Sequence, residues 1–90
     1  TLFAYTNMYY TYILYSEKSD SFYIGSTSNM KDRLKRHNTG RSTYTKRGIP
    51  WVVVYCQEYN SKAEAYQAEL FIKAQKSRAY IQKLINEKSV

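Results

Sequence analysis

The sequence predicts an α+β domain: a small three-stranded, mostly antiparallel sheet flanked by three helices, in the order β-β-α-β-α-α. Three observations predict it. An aromatic and β-branched run, YYTYILY at 9–15, is followed after a polar stretch by a short apolar segment at 22–25, the pattern of an antiparallel hairpin. An unbroken apolar run, WVVVY at 51–55, supplies a third strand. Short polar residues that cap helices (Ser28 and Asn29, then Ser61, then Ser77) open three further segments. A chain of 90 residues holds one domain, and its core is modest.

The elements follow in order. Residues 1–7 add little pattern and read as an extension or a cloning remnant, leaving residues 8–88 as the domain. The polar stretch 16–20 forms a hairpin loop of five residues or slightly more. In the first helix Ser28 or Asn29 is the cap, Asp32 sits where the dipole favours an anion, and Gly40 is the stop. Met30, Arg33, Leu34 and His37 recur at helical spacing, which puts Arg33 and His37 along or at the margin of the packed side. A basic loop at 41–50 carries Ser42, Thr43, Tyr44 and Thr45. The run 51–55 reads as a central strand covered on both faces, where Val53→Asp or Val54→Asp unfolds the protein. Ser61 and Glu64 form a capping box for a helix over 61–73. That helix is apolar nearly all round, so periodicity does not orient Glu69. Ser77 starts a third helix with Tyr80, Ile81, Leu84 and Ile85 on one face and Lys83 on the other.

Charge narrows the function. Fourteen Lys and Arg against seven Asp and Glu give a net charge of +7. Lys31, Arg33, Lys35, Arg36, Arg41, Lys46 and Arg47 crowd one segment, opposed only by Asp32. Such clustering is the footprint of a polyanion, and nucleic acid is the expected partner. Lys31, Lys35, Arg36, Arg41, Lys46 and Arg47 are the candidate phosphate contacts. The lone Cys56 excludes a disulfide partner and reads as a buried small hydrophobe in a reducing compartment. The chain shows no membrane-length apolar run and no secretory leader, so the expected location is cytoplasmic. A single histidine leaves no transition-metal cluster, and the sequence has neither a phosphate-binding glycine loop nor a G-x-S-x-G elbow. What remains is a hard cation on a carboxylate, completed by water and phosphate, a chemistry that suits phosphodiester cleavage.

At these residues the chain resembles the GIY-YIG nuclease family. The YIG half is literal, Tyr23-Ile24-Gly25, and the GIY half is degenerate, Tyr10-Thr11-Tyr12. Tyr12 precedes Tyr23 by eleven positions, Arg33 follows Tyr23 by ten, and His37 follows Arg33 by four. SKAEAYQAE resembles the family's second conserved helix, with its glutamate at Glu69. The likeness spans residues 8–86 and is greatest to stand-alone bacterial members, which are similar to the nuclease domain of the excision-repair incision subunit.

The resemblance implies a divalent-metal-dependent endonuclease acting on DNA, in DNA repair. It implies that Glu69 holds one Mg²⁺ or Mn²⁺ ion and that Tyr23 is the general base or positions the attacking water. A phenol with pKa near ~10 is a poor base, so cations such as Arg33 must favour its phenolate. Arg33 then binds phosphate, Tyr12 bonds the phosphate or the nucleophile, and His37 orients Tyr23 or relays its proton. Asn86 lies farther from Glu69 than the family's asparagine and stays outside the set. The runner-up is a nucleic-acid-binding module on the same fold, without cleavage. The two readings differ in geometry. The nuclease needs Tyr12, Tyr23, Arg33, His37 and Glu69 to converge within about 10 Å, with the Glu69 carboxylate open to a groove and not closed on Lys73.

Overall fold

The computed structural model describes residues 8–88, so the expected extension at 1–7 lies outside the described residues. Its elements are β1 (Tyr9–Ser16), β2 (Ser21–Thr27), α1 (Met30–Asn38), a 3-10 turn (Lys46–Gly48), β3 (Trp51–Tyr59), α2 (Lys62–Gln75) and α3 (Arg78–Lys88). The order β-β-α-β-α-α holds, and both strand pairs are antiparallel. The hairpin loop shortens to four residues, 17–20, because pairing continues to Ser16 opposite Ser21.

β1 is the central strand, in the order β2-β1-β3. This corrects the expectation for the 51–55 run: β3 lies at the sheet edge, with Val52 53% and Val53 37% exposed. An apolar run looks the same whether one or both of its flanks are paired. The aromatic strand β1 takes the centre instead, with Thr11, Tyr12, Ile13 and Leu14 all at 0% exposure. Cys56 is only half-buried, and its thiol is pushed up by that burial.

Alternation along β1 splits the molecule into two layers. Tyr12 and Leu14 face one way and build the core with Trp51, Met30, Leu34 and Ile49. Thr11 and Ile13 face the other way, towards α2, and the Thr11 hydroxyl donates to the Ala65 carbonyl at 2.6 Å. Caps set the helix starts. Asn29 accepts from the Asp32 amide at 2.9 Å, Ser61 from Glu64 at 3.1 Å and Ser77 from Tyr80 at 3.0 Å. Gly40, just past α1, has φ +78°, where a side chain would be strained. Asn38 ends α1 by clamping Trp51, giving a bond to its carbonyl at 2.9 Å and taking one from its amide at 2.6 Å. At the hairpin tip, Asp20 accepts from Tyr15 at 2.8 Å and pairs with Arg78 at 2.7 Å, tying α3 to the turn. No helix among the described residues is long and apolar enough to cross a membrane.

Candidate active site

Tyr12 sits directly opposite Gly25 in the hairpin. The pairing explains the glycine, because a Cβ at position 25 meets the Tyr12 hydroxyl oxygen at 2.5 Å and Cζ at 2.7 Å. Gly25→Ala is therefore expected to displace the Tyr12 ring and to destabilise the protein by about 1–3 kcal/mol. Urea denaturation checks this.

The displaced ring would leave a buried chain of polar contacts. The Tyr12 hydroxyl lies 3.2 Å from His37 Nε2, and His37 Nδ1 lies 2.7 Å from the Thr45 hydroxyl. The Thr45 carbonyl accepts from the Trp51 indole at 2.8 Å. Burial pushes the Tyr12 phenol up to about 12, against the opposing pull of the Arg33 charge. His37 is lowered from its ordinary value, first by burial and then by the charges of Arg33 and Arg36. Tyr12 is thus a neutral phenol and His37 a neutral imidazole at pH 7.

Tyr23 stands opposite Leu14, so its side chain shares the face of Tyr12. Its ring lies 6.4 Å from Tyr12, 4.8 Å from His37 and 5.9 Å from the exposed Tyr44, between centroids. Tyr23, Arg33, Arg36, His37 and Ser42 line a recess of about 310 Å³. Arg33 also lines a second recess of about 310 Å³ with Ser26, Thr27, Ser28 and Lys62. A single guanidinium therefore stands between two polar hollows.

Glu69 arrives from the other layer. Ser26 lies opposite Thr11, so its side chain points to the α2 side, and its hydroxyl donates to Glu69 Oε1 at 2.7 Å. The Ser26 carbonyl accepts from Arg33 Nη1 at 3.4 Å, a long bond. The two layers thus meet at Ser26 on the sheet edge. Lys73 closes on Glu69 Oε2 at 2.6 Å. The expected open carboxylate is not what the structure has: Glu69 is 9% exposed and already holds an ammonium. One turn of α2 separates the two residues, so the i, i+4 pair forms without rearrangement.

The sequence-derived set is therefore gathered in two groups. Tyr12, Tyr23, Arg33 and His37 cluster on one face, and Glu69 joins them through Ser26. His37 does not address Tyr23 through a nitrogen: Nε2 and Nδ1 are taken up by Tyr12 and Thr45, and Tyr23 meets only the ring. Tyr12 is shut off at 0% exposure, which removes it from direct contact with phosphate in this conformation. Lys31, Lys35, Arg36, Arg41, Lys46 and Arg47 are all exposed and outside the ion pairs formed among the described residues. Ser26 and Thr45 were missed. The position of Ser26 just after YIG, on the alternate face, was the available signal, whereas Thr45 lies in a loop with no periodicity to mark it.

No group of three His, Cys, Asp or Glu side chains is gathered among the described residues. A transition-metal cage does not fit these residues. A hard cation on one carboxylate oxygen, completed by water and phosphate, fits only once Lys73 releases Glu69, because the closed pair does not meet the open-carboxylate condition. Oε2 already carries a cation, and the Lys73 side chain is 47% exposed, so that ammonium has solvent into which to withdraw.

The family model described as the GIY-YIG catalytic domain matches residues 8–84. A UPF0213 protein of Bacillus licheniformis is 39% identical over 84 residues, spanning 92% of this chain and 84% of the relative. A UPF0213 protein of Streptococcus agalactiae is 40% identical over 83 residues, 87% of this chain and 92% of the relative. The solution NMR structure of a UPF0213 protein from Bacillus halodurans matches with a TM-score of 0.58 at 32% identity, covering 90% of this chain and 85% of that one.

Proposed function

The chain belongs to the GIY-YIG catalytic domain family, and from that premise we propose that it is a divalent-metal-dependent endonuclease hydrolysing phosphodiester bonds in DNA. A cytoplasmic location and a role in DNA repair belong to the same proposal. The observation that carries it is the gathering of Tyr23, Arg33 and His37 around a polar recess bordered by exposed cations, with Tyr12 buried against Tyr23 and His37. In this reading Arg33 grips the scissile phosphate and stabilises the charge that develops on it, the planar-fork task suited to a guanidinium. Tyr23 takes the proton of the attacking water. Tyr12 and His37 are positioning residues, because both are buried. Glu69 holds one Mg²⁺ or Mn²⁺ ion once Lys73 has moved aside. Such an ion supplies Lewis-acid stabilisation at the phosphate and at the leaving oxygen.

The Lys73 contact favours a second reading, a binding module that grips nucleic acid and does not cut. Purified protein mixed with supercoiled plasmid separates the two. The nuclease nicks with Mg²⁺ or Mn²⁺ and stops with EDTA, whereas the module binds without nicking under either condition. Both readings predict strong salt dependence. With about five phosphates neutralised, log affinity falls against log salt with a slope near −4 to −5, and a slope shallower than about −1 removes nucleic acid as the partner.

A further inference from the structure

We propose that Thr45 is a positioning residue: it holds His37 in the Nδ1–H tautomer, so that Nε2 accepts the Tyr12 proton and fixes the Tyr12 phenol behind Tyr23. The proposal deepens the nuclease reading and rests on it for its consequence in catalysis.

The direction of the chain follows from which groups donate. A phenol carries one proton, and a buried hydroxyl proton needs an acceptor. At 0% exposure the Tyr12 proton has no water to go to. The acceptor within reach is His37 Nε2, at 3.2 Å. A neutral imidazole that accepts at Nε2 carries its proton on Nδ1. That proton points at the Thr45 hydroxyl, 2.7 Å away, and the Thr45 hydroxyl in turn donates to the Ser42 carbonyl at 3.4 Å. The reading leaves every buried proton with an acceptor, consistent with the absence of unpaired buried side-chain atoms among the described residues.

The opposite tautomer fails on the same accounting. A proton on Nε2 points at the Tyr12 oxygen and strands the Tyr12 proton in a buried site, a costly outcome. Thr45 is 1% exposed and sits at the mouth of the 3-10 turn. Its backbone carbonyl holds Trp51 independently of its side chain. The hydroxyl is therefore free of that contact and can accept from His37 while donating to Ser42, a function that no local sequence pattern announces.

The protein has one histidine, so its ring nitrogens report without ambiguity. The test is long-range ¹H–¹⁵N NMR of the uniformly labelled wild type, Thr45→Val and Thr45→Ser, beside plasmid nicking by each. The expected wild-type spectrum has Nδ1 protonated and Nε2 bare. Thr45→Val, isosteric with threonine, shifts the ring towards the Nε2–H form and lowers kcat about tenfold with KM little changed, and Thr45→Ser restores both to within about twofold. A wild-type ring protonated at Nε2, or a ring unmoved in a folded Thr45→Val, overturns the proposal. If Thr45→Val does not fold, the wild-type spectrum and Thr45→Ser still decide it: a serine variant that folds but loses the wild-type tautomer also overturns it. The ring spectrum is read without DNA, so failure of the nuclease reading and failure of this inference give different results.

Discussion

Glu69→Gln is expected to abolish metal-dependent nicking, by about 10³-fold or more, in a protein that stays folded. The amide keeps the shape of the carboxylate and still accepts from the Ser26 hydroxyl, now 2.7 Å away. It loses the charge that a hard cation requires, and a loss of that size corresponds to about 4 kcal/mol of transition-state stabilisation. The cost to folding is small, because the Lys73 partner is 47% exposed and such half-solvated pairs contribute less than about 1 kcal/mol. Lys73→Met is the companion variant. Removing the resident ammonium should lower the metal concentration needed for half-maximal nicking. A Glu69→Gln protein that nicks at the wild-type rate removes Glu69 from the metal site. A Lys73→Met protein with an unchanged metal requirement shows that the lysine does not compete.

The second large effect is on folding. Ile13→Asp is expected to leave no folded protein at 25 °C, whereas Val53→Asp costs about 1 kcal/mol or less. Ile13 is at 0% exposure on the central strand, between Ile24 and Tyr55. An unpaired charge there costs several kcal/mol, out of a total stability of about 5–10 kcal/mol for a small domain. Val53 is 37% exposed on the edge strand, and an aspartate there reaches water. Circular dichroism and urea titration of the two variants check the contrast. A stable Ile13→Asp protein would mean that β1 is not the centre of the sheet.

The two variants mark where the sequence was legible and where it was not. The hairpin was readable because alternation and turn chemistry are local, and so were the three helix starts, where Asn29, Ser61 and Ser77 cap as expected. The rank of β3 in the sheet was not readable, because an apolar run carries no mark of its neighbours, and β1 outcompeted it for the centre. The direction of Glu69 was equally hidden, since α2 is apolar nearly all round and only tertiary packing turns one face inward. Tyr12, Tyr23, Arg33 and His37 were found through spacing that resembled a family, and the structure gathers them. Their hydrogen-bond partners were a different matter. Spacing places residues on a helix or a strand, but the acceptor that His37 finds in Thr45 comes from a loop, where no period operates.

The layered construction has a consequence for the order in which the protein becomes competent. The contacts of the gripping group close short stretches of chain: Arg33 to Ser26 spans 7 positions, His37 to Thr45 spans 8, and Tyr12 to His37 spans 25. The carboxylate arrives over much longer loops, 43 positions from Ser26 to Glu69 and 54 from Thr11 to Ala65. Closure entropy rises with loop length, and distant pairings form late. A chain leaving the ribosome N-terminus first presents its arginine and tyrosines before α2 exists to dock. The grip is assembled before the blade, and hydrolysis is the last competence that folding confers.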